Sequence, residues 1–242
     1  MSARRLTSHL GALALALSAT ASHAGTLAYQ DINNDADSGI SASNTYTTAV
    51  SFGVGAAGDV TVNGVTFTGI TVDTPTTASA PGLAWSVANG QIQTLAWAIN
   101  NPATGNLQVL LDTFSYNNGA GAGAQQAFVL DPATLIPGVT YDLRLYLRQF
   151  LPGIRVQSFA FTGDGVTTTI ASLNEDASVQ PQYISHVFKW DGASTAGVVI
   201  TPADPNAGFH AYALSNQLVA VPEPAVAGLL ALGGLAFKRR RT

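Results

Sequence analysis

The most regular stretch of this chain is residues 141–150, which read YDLRLYLRQF. Apolar and polar side chains alternate along it, and successive side chains of a β-strand point to opposite faces of a sheet. The face expected to form core carries Tyr141, Leu143, Leu145 and Leu147. The opposite face, which the alternation predicts to be exposed, carries Asp142, Arg144, Tyr146 and Arg148.

Similar short runs occur on both sides of this strand, separated by clusters of Gly, Pro, Asn and Asp, as in antiparallel sandwiches. About nine strands are predicted; besides 141–150 they cover residues 60–67, 92–99, 107–114, 126–130, 155–162, 183–190, 198–201 and 209–219. Residues 117–124 are rich in Gly and Ala, which predicts a mobile loop. The fold expected for residues 25–220 is one all-β domain, an antiparallel β-sandwich.

Composition narrows the classes of function. Charged residues make up 10% of the 242 residues, and the absence of cysteine excludes disulfides, thiolate metal sites and cysteine nucleophiles. Residues 25–220 contain thirteen carboxylates and four Lys or Arg residues, a formal charge of −9. Such a surface repels phosphate backbones, so we expect no nucleic-acid partner. Neutral sugars and calcium are compatible with it.

The N-terminus has the order of features typical of a secretory signal peptide. Arg4 and Arg5 precede an apolar run over residues 10–19, and Ser22-His23-Ala24 supplies the small residues that signal peptidase reads. We expect a signal helix in residues 1–24, with cleavage after Ala24. The body of the protein would then be exported.

The C-terminus combines a proline motif, an apolar run and a basic tail. Val221-Pro222-Glu223-Pro224 precedes an uncharged run over residues 225–237, and the last cations are Lys238, Arg239, Arg240 and Arg241. As a helix this run is roughly 20 Å long, shorter than the ~30 Å hydrocarbon core. We expect a short transmembrane helix within residues 221–242, with the basic tail in the cytoplasm. The alternatives are a plain tail anchor and a last core helix with a basic C-cap.

This ending resembles the PEP-CTERM sorting signal of Gram-negative bacteria, in which Pro-Glu-Pro precedes a short membrane segment and an arginine-rich end. The resemblance implies that Pro222, Glu223 and Pro224 are recognised by an exosortase, a membrane-embedded cysteine transpeptidase that removes the tail. It implies an inner-membrane intermediate and then delivery to the cell surface or extracellular matrix. Residues 138–141 and 214–219 also look like parts of jelly-roll domains of exported PEP-CTERM proteins, a likeness that carries no activity.

An acidic segment suggests a calcium site. Asp31, Asn33, Asp35 and Asp37 place oxygen ligands at alternate positions, as hard cations require. The segment is not an EF-hand loop, because Ala36 and Ala42 stand where that motif needs glycine and glutamate. The alternative is a solvated turn rich in Asp and Asn.

Two further groups of residues are candidates for sugar binding. Arg144 and Arg148 flank Tyr146 on the polar face of the strand and could hold an acidic sugar, or could instead pair with cross-strand aspartates. Trp85, beside a turn, is the tryptophan that we expect to be most exposed, although burial is the ordinary state of a tryptophan. Trp97 alternates in phase with Leu95 and is predicted to be core.

The motifs of catalysis are missing from the sequence. It contains no nucleophile elbow, no zinc-binding histidine pair at helical spacing and no phosphate loop. His186 and His210 stand in no catalytic motif, and the adjacent Glu175 and Asp176 are predicted to be solvated charges. We therefore expect a protein that is not an enzyme.

These observations predict an exported surface or matrix protein, with signal peptidase and exosortase as processing partners. Its role would be structural, or binding of an exopolysaccharide. A matrix-acting glycoside hydrolase or polysaccharide lyase is one alternative, and a self-assembling surface protein is another.

The sorting motif can be tested on its own. We expect the protein released by its native host to have lost its C-terminal segment, which intact mass would reveal. A variant with Pro222→Ala, Glu223→Ala and Pro224→Ala should keep the segment, because the recognition residues are gone. An intact tail on membrane-bound protein in both cases would contradict exosortase processing.

Overall fold

The computed structural model describes residues 25–53, 58–73, 75–97, 101–118, 121–151, 153, 155–204 and 210–219. The predicted signal helix and the predicted C-terminal membrane helix lie outside these residues. Within the described part of the chain, no helix is long and apolar enough to cross a membrane.

The described residues form sixteen strands and one short helix. The strands are β1 (Thr26–Asp31), β2 (Tyr46–Phe52), β3 (Val60–Val62), β4 (Val65–Ile70), β5 (Thr77–Ala80), β6 (Leu83–Ala88), β7 (Gln91–Ala96), β8 (Thr113–Asn118), β9 (Gln125–Leu130), β10 (Thr140–Leu147), β11 (Val156–Thr162), β12 (Thr168–Asn174), β13 (Gln182–Lys189), β14 (Gly197–Pro202), β15 (His210–Ala211) and β16 (Ala213–Leu218). The helix, α1 (Asn106–Leu110), precedes β8, and a 3-10 turn spans Pro132–Thr134.

The strands make three sheets. The first has seven strands in the order β1-β13-β10-β16-β2-β4-β3, the second has six in the order β12-β11-β14-β9-β6-β5, and the third has three in the order β15-β8-β7. Strand pairs are antiparallel except β2 with β4, which are parallel. The strand that the sequence marks most clearly, β10, lies between β13 and β16 inside the largest sheet.

The seven- and six-stranded sheets face each other across the larger core, which confirms the all-β sandwich. All four apolar residues predicted for the inner face of β10 are buried there. At the centre, the ring centroid of Phe52 lies 4.9 Å from that of Trp85 and 4.7 Å from that of Phe128. The two sheets are therefore joined by aromatic contacts as well as by aliphatic packing.

A second apolar cluster covers the outer face of the seven-stranded sheet. It combines Tyr146 of β10 with Phe67 of β4, Leu107 of α1 and Ile32, all of them buried. The face of β10 that was predicted to be exposed is consequently an interior surface: Asp142 is 6% exposed and Tyr146 is 0% exposed. That prediction was wrong because the covering residues come from distant parts of the chain.

Two predicted strands were wrong, the first for a local reason and the second at a segment with a remote contact. Residues 60–67 form a hairpin, because Asn63 and Gly64 both have positive φ (48° and 81°) and make the two-residue turn that Asn-Gly favours. Residues 106–110 are helical. The first turn of this helix is hydrogen-bonded to a side chain that is far away in sequence: Asp35 Oδ1 accepts from Leu107 N at 2.7 Å.

Five strands and the third sheet were not predicted. The missed strands are β1, β2, β5, β6 and β12. Exposed residues dominate β1, and β5 is built of Thr, Ala and Ser, so neither shows a clear hydrophobic period. The predicted loop 117–124 begins in fact as the last two residues of β8.

The aromatic centre of the sandwich yields a stability prediction. Phe128→Ala should lower the free energy of unfolding by about 3–5 kcal/mol, because a cavity would open between Phe52 and Trp85. Urea unfolding of the mature protein measures this loss. Tyr29→Ala is the matched control; its ring is 49% exposed, and we expect a change below about 1 kcal/mol. Similar losses in the two variants would contradict the assignment of this core.

Candidate functional site

The arginine pair predicted to hold an acidic sugar is used inside the protein. Arg144 Nε and Nη2 each lie 2.8 Å from Asp142 Oδ2, and its Nη1 donates to the carbonyl of Gly39 at 2.5 Å. Arg148 is 2% exposed. Arg144 does pair with an aspartate, but that aspartate lies two residues earlier on the same strand instead of on a neighbouring strand.

Asp142 is the centre of a polar network across three strands. Its Oδ1 accepts from Ser185 Oγ of β13 at 2.5 Å, and its Oδ2 accepts from Gln217 Nε2 of β16 at 3.1 Å. Gln217 Oε1 in turn accepts from Asn44 Nδ2 at 2.9 Å. Because these groups satisfy one another, the network stabilises the sheet.

Trp85 takes the ordinary buried state and not the exposed one that made it a candidate, and Trp97 is less buried than predicted. Trp85 is 1% exposed and lies in the main core, so it is not a surface platform. Trp97 is half-buried, and its predicted partner in the core, Leu95, is 40% exposed. The reason is that β7 ends at Ala96, so the alternation used to place Trp97 does not continue through it.

The acidic segment around residue 35 folds as a turn whose carboxylates bind backbone amides. Asp37 Oδ1 accepts from Asn33 N at 2.8 Å and from Asn34 N at 2.9 Å. Asp35 caps α1, and Asp31 Oδ1 accepts from Gln182 Nε2 at 2.7 Å. Among the described residues, no three His, Asp or Glu side chains are grouped so that they could hold a metal ion. Calcium binding here stays a prediction.

Charged side chains from four parts of the chain meet instead where β10 ends. Arg148 follows β10, Arg155 precedes β11, Glu175 and Asp176 follow β12, and His210 opens β15. We call these five residues the charged end cluster. Because β11 and β12 pair antiparallel, the residue before the first strand and those after the second are neighbours.

The acidic residues of the charged end cluster are paired. Arg155 Nη1 lies 3.0 Å from Asp176 Oδ2, and His210 Nδ1 lies 3.1 Å from Glu175 Oε1. Glu175 also accepts a hydrogen bond from Gln157 Nε2. The Glu175 side chain is wholly buried, so these contacts replace the water that a carboxyl group would otherwise bind.

Arg148 connects this cluster to two other segments. Its guanidinium donates to the carbonyls of Leu111 at 2.5 Å and Gln149 at 3.1 Å, and also to the carbonyl of Trp97. It lies 5.1 Å from the ring centre of Tyr212. An arginine is always charged, so its burial requires such acceptors, and they hold the segment after β7 against the end of β10.

Burial sets the protonation of the cluster. Desolvation raises the pKa of Glu175 well above its ordinary range, and the neighbouring Asp176 charge raises it further. Desolvation lowers the pKa of His210 to about 3, with the charge of Arg155 acting in the same direction. His210 is therefore neutral at physiological pH.

Partly exposed aromatic side chains lie over the charged end cluster. The rings of Trp97 and Phe150 are 5.3 Å apart and tilted by 38°, and the Arg155 guanidinium lies 4.8 Å over Phe150. Tyr116 extends the group, with its ring 6.4 Å from that of His210 and its hydroxyl bonded to Gln93. We call Trp97, Phe150 and Tyr116 the aromatic rim. Aromatic faces backed by a few fixed polar groups are what a sugar-binding surface offers.

Sequence reasoning set aside most of these residues. Glu175 and Asp176 were expected to be solvated, but they are 7% and 5% exposed. One signal could have marked them: Glu175 is the only glutamate of residues 25–220, in a body with very few charges. A charged residue in such surroundings is often paired.

Comparisons with known proteins gave structural similarity only. No family model matches the chain, and no curated protein matches it. It is similar to the CBM22-1 xylan-binding domain from Paenibacillus barcinonensis Xyn10C, with 12% identity and a TM-score of 0.42 over 74% of this chain and 97% of that one. It is similar at the same identity and TM-score to the CBM22-1-GH10 modules of a Clostridium thermocellum xylanase complexed with xylohexaose, over 75% of this chain and 30% of that one. A bacteriophage CBA120 tailspike domain gives 13% identity and a TM-score of 0.28 over 57% of this chain and 19% of that one. We draw nothing about function from similarity at this level.

The buried carboxyl group yields a pH prediction. A folded-state pKa above the unfolded value of about 4.3 means that Glu175 stabilises the fold at low pH and that this contribution is lost as pH rises. Glu175→Gln keeps the shape without the charge. Relative to the parent, the variant should gain up to about 1.4 kcal/mol of unfolding free energy per pH unit between pH 5 and the folded pKa.

Urea unfolding at pH 5, 6, 7 and 8 measures this difference, and the titration of His210 cancels because both proteins share it. Asp176→Asn is the matched control, since it weakens the ion pair with Arg155 and should destabilise the protein at every one of these pH values. Parallel profiles for the parent and Glu175→Gln would contradict the burial of a chargeable group.

Proposed function

We propose that this chain is an exported protein of the cell surface or extracellular matrix that binds a neutral polysaccharide at the aromatic rim. Export rests on the signal-peptide features of residues 1–24, and surface delivery rests on the Pro222-Glu223-Pro224 motif with its basic tail. The body then acts as a binding component of the exopolysaccharide matrix, built as a jelly-roll-like sandwich.

The observation that carries the binding proposal is the pair formed by Trp97 and Phe150. Their rings lie 5.3 Å apart at one end of the sandwich, and both side chains are partly exposed. An aromatic ring presents an apolar face to the C–H face of a sugar, and two tilted rings fit successive units of a chain. Neither ring belongs to the main core; both are partly buried and pack against the second apolar cluster, which holds them at this end of the sandwich.

The segments that bear these rings are held in place. Trp97 N donates to the carbonyl of Asp112 at 2.6 Å, and the carbonyl of Trp97 accepts from Arg148. Phe150 N donates to Asp176 Oδ1 at 3.1 Å. Binding to such a site needs little ordering of the protein, which preserves affinity.

Charge favours a neutral polymer over an acidic one. The body carries a formal charge of −9, and Arg155, the cation nearest the rim, is already paired with Asp176. A polyuronate would meet a body of net negative charge, and Arg148, at 2% exposure, is too buried to offset the repulsion by direct contact. Hydrogen bonds between neutral hydroxyl groups and Gln93, Tyr116 or Arg155, in which the guanidinium donates, carry no such cost.

Affinity electrophoresis of the mature protein tests the proposal with two polymers, neutral arabinoxylan and acidic polygalacturonate. We expect retardation by arabinoxylan alone. The double variant Trp97→Ala, Phe150→Ala should lose at least roughly tenfold in affinity, equivalent to about 1.4 kcal/mol. Tyr29→Ala removes an exposed ring that makes no contact with the rim residues and should bind like the parent. Equal binding by all three proteins, or preference for polygalacturonate, would overturn the proposal.

Cleavage of the bound polymer is the second candidate function. It is suggested by Glu175, a carboxyl group with a raised pKa beside His210, since general acids of glycoside hydrolases have that property. Because the Glu175 side chain is wholly buried, cleavage would also require the residues that cover it to move. The same incubations distinguish the two. If the parent protein produces new reducing ends on the polymer and Glu175→Gln does not, the protein cleaves the polymer. If the parent protein is retarded but produces no new reducing ends, it only binds.

A further inference from the structure

The first described residue, Gly25, lies in a built polar site. Its backbone N donates to Asp164 Oδ2 at 2.8 Å, and its carbonyl accepts from Thr168 Oγ1 at 3.5 Å. Asp164 belongs to the turn between β11 and β12, and its other carboxylate oxygen accepts from Val166 N at 3.0 Å. The carboxylate is thus oriented toward Gly25 by its own turn.

A buried histidine forms the opposite wall of this site. His186 lies on β13 and is 0% exposed; its ring stacks on that of Phe188 at 5.4 Å and lies tilted by 40° against that of Phe161 at 5.3 Å. Neither of its ring nitrogens has a hydrogen-bond partner among the described residues. A neutral imidazole has one accepting nitrogen, and a buried acceptor without a donor costs free energy.

The edge of the His186 ring faces Gly25 at close range. A Cβ added to Gly25 would lie 2.1 Å from Cε1 and 2.9 Å from Nε2 of His186. Glycine is therefore the only residue that leaves room for the ring. The same glycine is the residue that follows Ala24, the last residue of the predicted signal peptide.

We propose that removal of the signal peptide completes this site: the new α-ammonium of Gly25 pairs with Asp164 and supplies a donor to His186. In the uncleaved chain the Gly25 nitrogen has one hydrogen and no charge, so it donates one hydrogen bond, to Asp164. After cleavage it has three hydrogens and a positive charge, which makes the bond to Asp164 charge-assisted and leaves donors for the imidazole. The mature N-terminus becomes a structural ion pair between β1 and the β11–β12 turn. The proposal rests on the predicted cleavage after Ala24.

The site excludes other N-termini by size and by charge. An extra residue would return the nitrogen to an amide, and an acetyl group would remove the charge. Cleavage one residue later would start the chain at Thr26 and leave Asp164 without its donor. The site is specific for an N-terminal glycine, because His186 leaves no room for a side chain at that position.

Acylation of the exported protein at pH 7 tests the proposal without any variant. Intact mass should first place the N-terminus at Gly25. The α-amine should then react with acetic anhydride at least roughly tenfold more slowly in the native protein than in the same protein unfolded in urea, because an ammonium held by Asp164 has a raised pKa. Lys189, whose side chain is exposed, is the internal control and should react at similar rates in both states.

Asp164→Asn provides the matched variant, since the amide oxygen can still accept from Val166 N while the charge is gone. The native α-amine of this variant should react at close to the unfolded rate, with the rate at Lys189 unchanged. An N-terminus other than Gly25, or equally fast acylation of native and unfolded parent, would overturn the proposal. Slow acylation that persists in Asp164→Asn would overturn the ion pair.

Discussion

The burial of β10 on both faces is the constraint on which the rest of this structure depends. Its inner face packs against the six-stranded sheet, and its outer face lies under the second apolar cluster. A strand that carries Asp142 and Arg144 and is followed at once by Arg148 cannot be buried in this way unless every charge finds partners inside the protein. The polar network around Asp142 and the carbonyl contacts of Arg148 are the consequence of that requirement.

The contacts of Arg148 link the burial of β10 to the candidate site. Two of the carbonyls to which Arg148 donates lie in segments remote in sequence, after β7 and after α1, and a third belongs to the adjacent Gln149. Because the guanidinium must be satisfied by all of them, these segments are brought to one end of the sandwich. Trp97 then lies beside Phe150, and the aromatic rim forms over buried charges. The aromatic rim is therefore positioned by the hydrogen bonds that satisfy the buried Arg148 guanidinium.

The sequence could predict the structural features that depend on neighbouring residues. It could predict few of those that depend on contacts between residues far apart in the chain. Alternation identified β10 and all four of its core residues, and turn signals identified the sandwich. Alternation also implied that the polar face of β10 is exposed, and this was wrong, because the period of a strand does not tell whether another layer covers it. The short run around Leu107 was ambiguous for a similar reason, since helix and strand are not distinguished over so few apolar residues.

The candidate site was the hardest part to predict. Glu175 and His210 are 35 positions apart, and Arg148 and Trp97 are 51 positions apart. The pairing of β11 with β12 and the position of β15 bring the first pair together, and the hydrogen bond from Arg148 to the Trp97 carbonyl joins the second. The residues that were predicted to bind a sugar were wrong for a different reason. Trp85 and Arg148 have suitable chemistry for a sugar, but each is needed inside the fold. Residue type alone cannot separate a side chain available to a ligand from one that the core requires.

The position of β16 relates the fold to the proposed export route. This strand is the last in the described chain, yet it lies inside the seven-stranded sheet, where it joins β10 to β2. Without it the sheet would be divided into β1-β13-β10 and β2-β4-β3, with the main core open between them. On a route that delivers the chain from its N-terminus onward, the sandwich therefore cannot close until residues 213–218 have crossed the membrane. The proposed sorting segment begins three residues later, at Val221, so on this proposal a tail held briefly in the membrane would keep the body at the outer surface while its central strand is inserted.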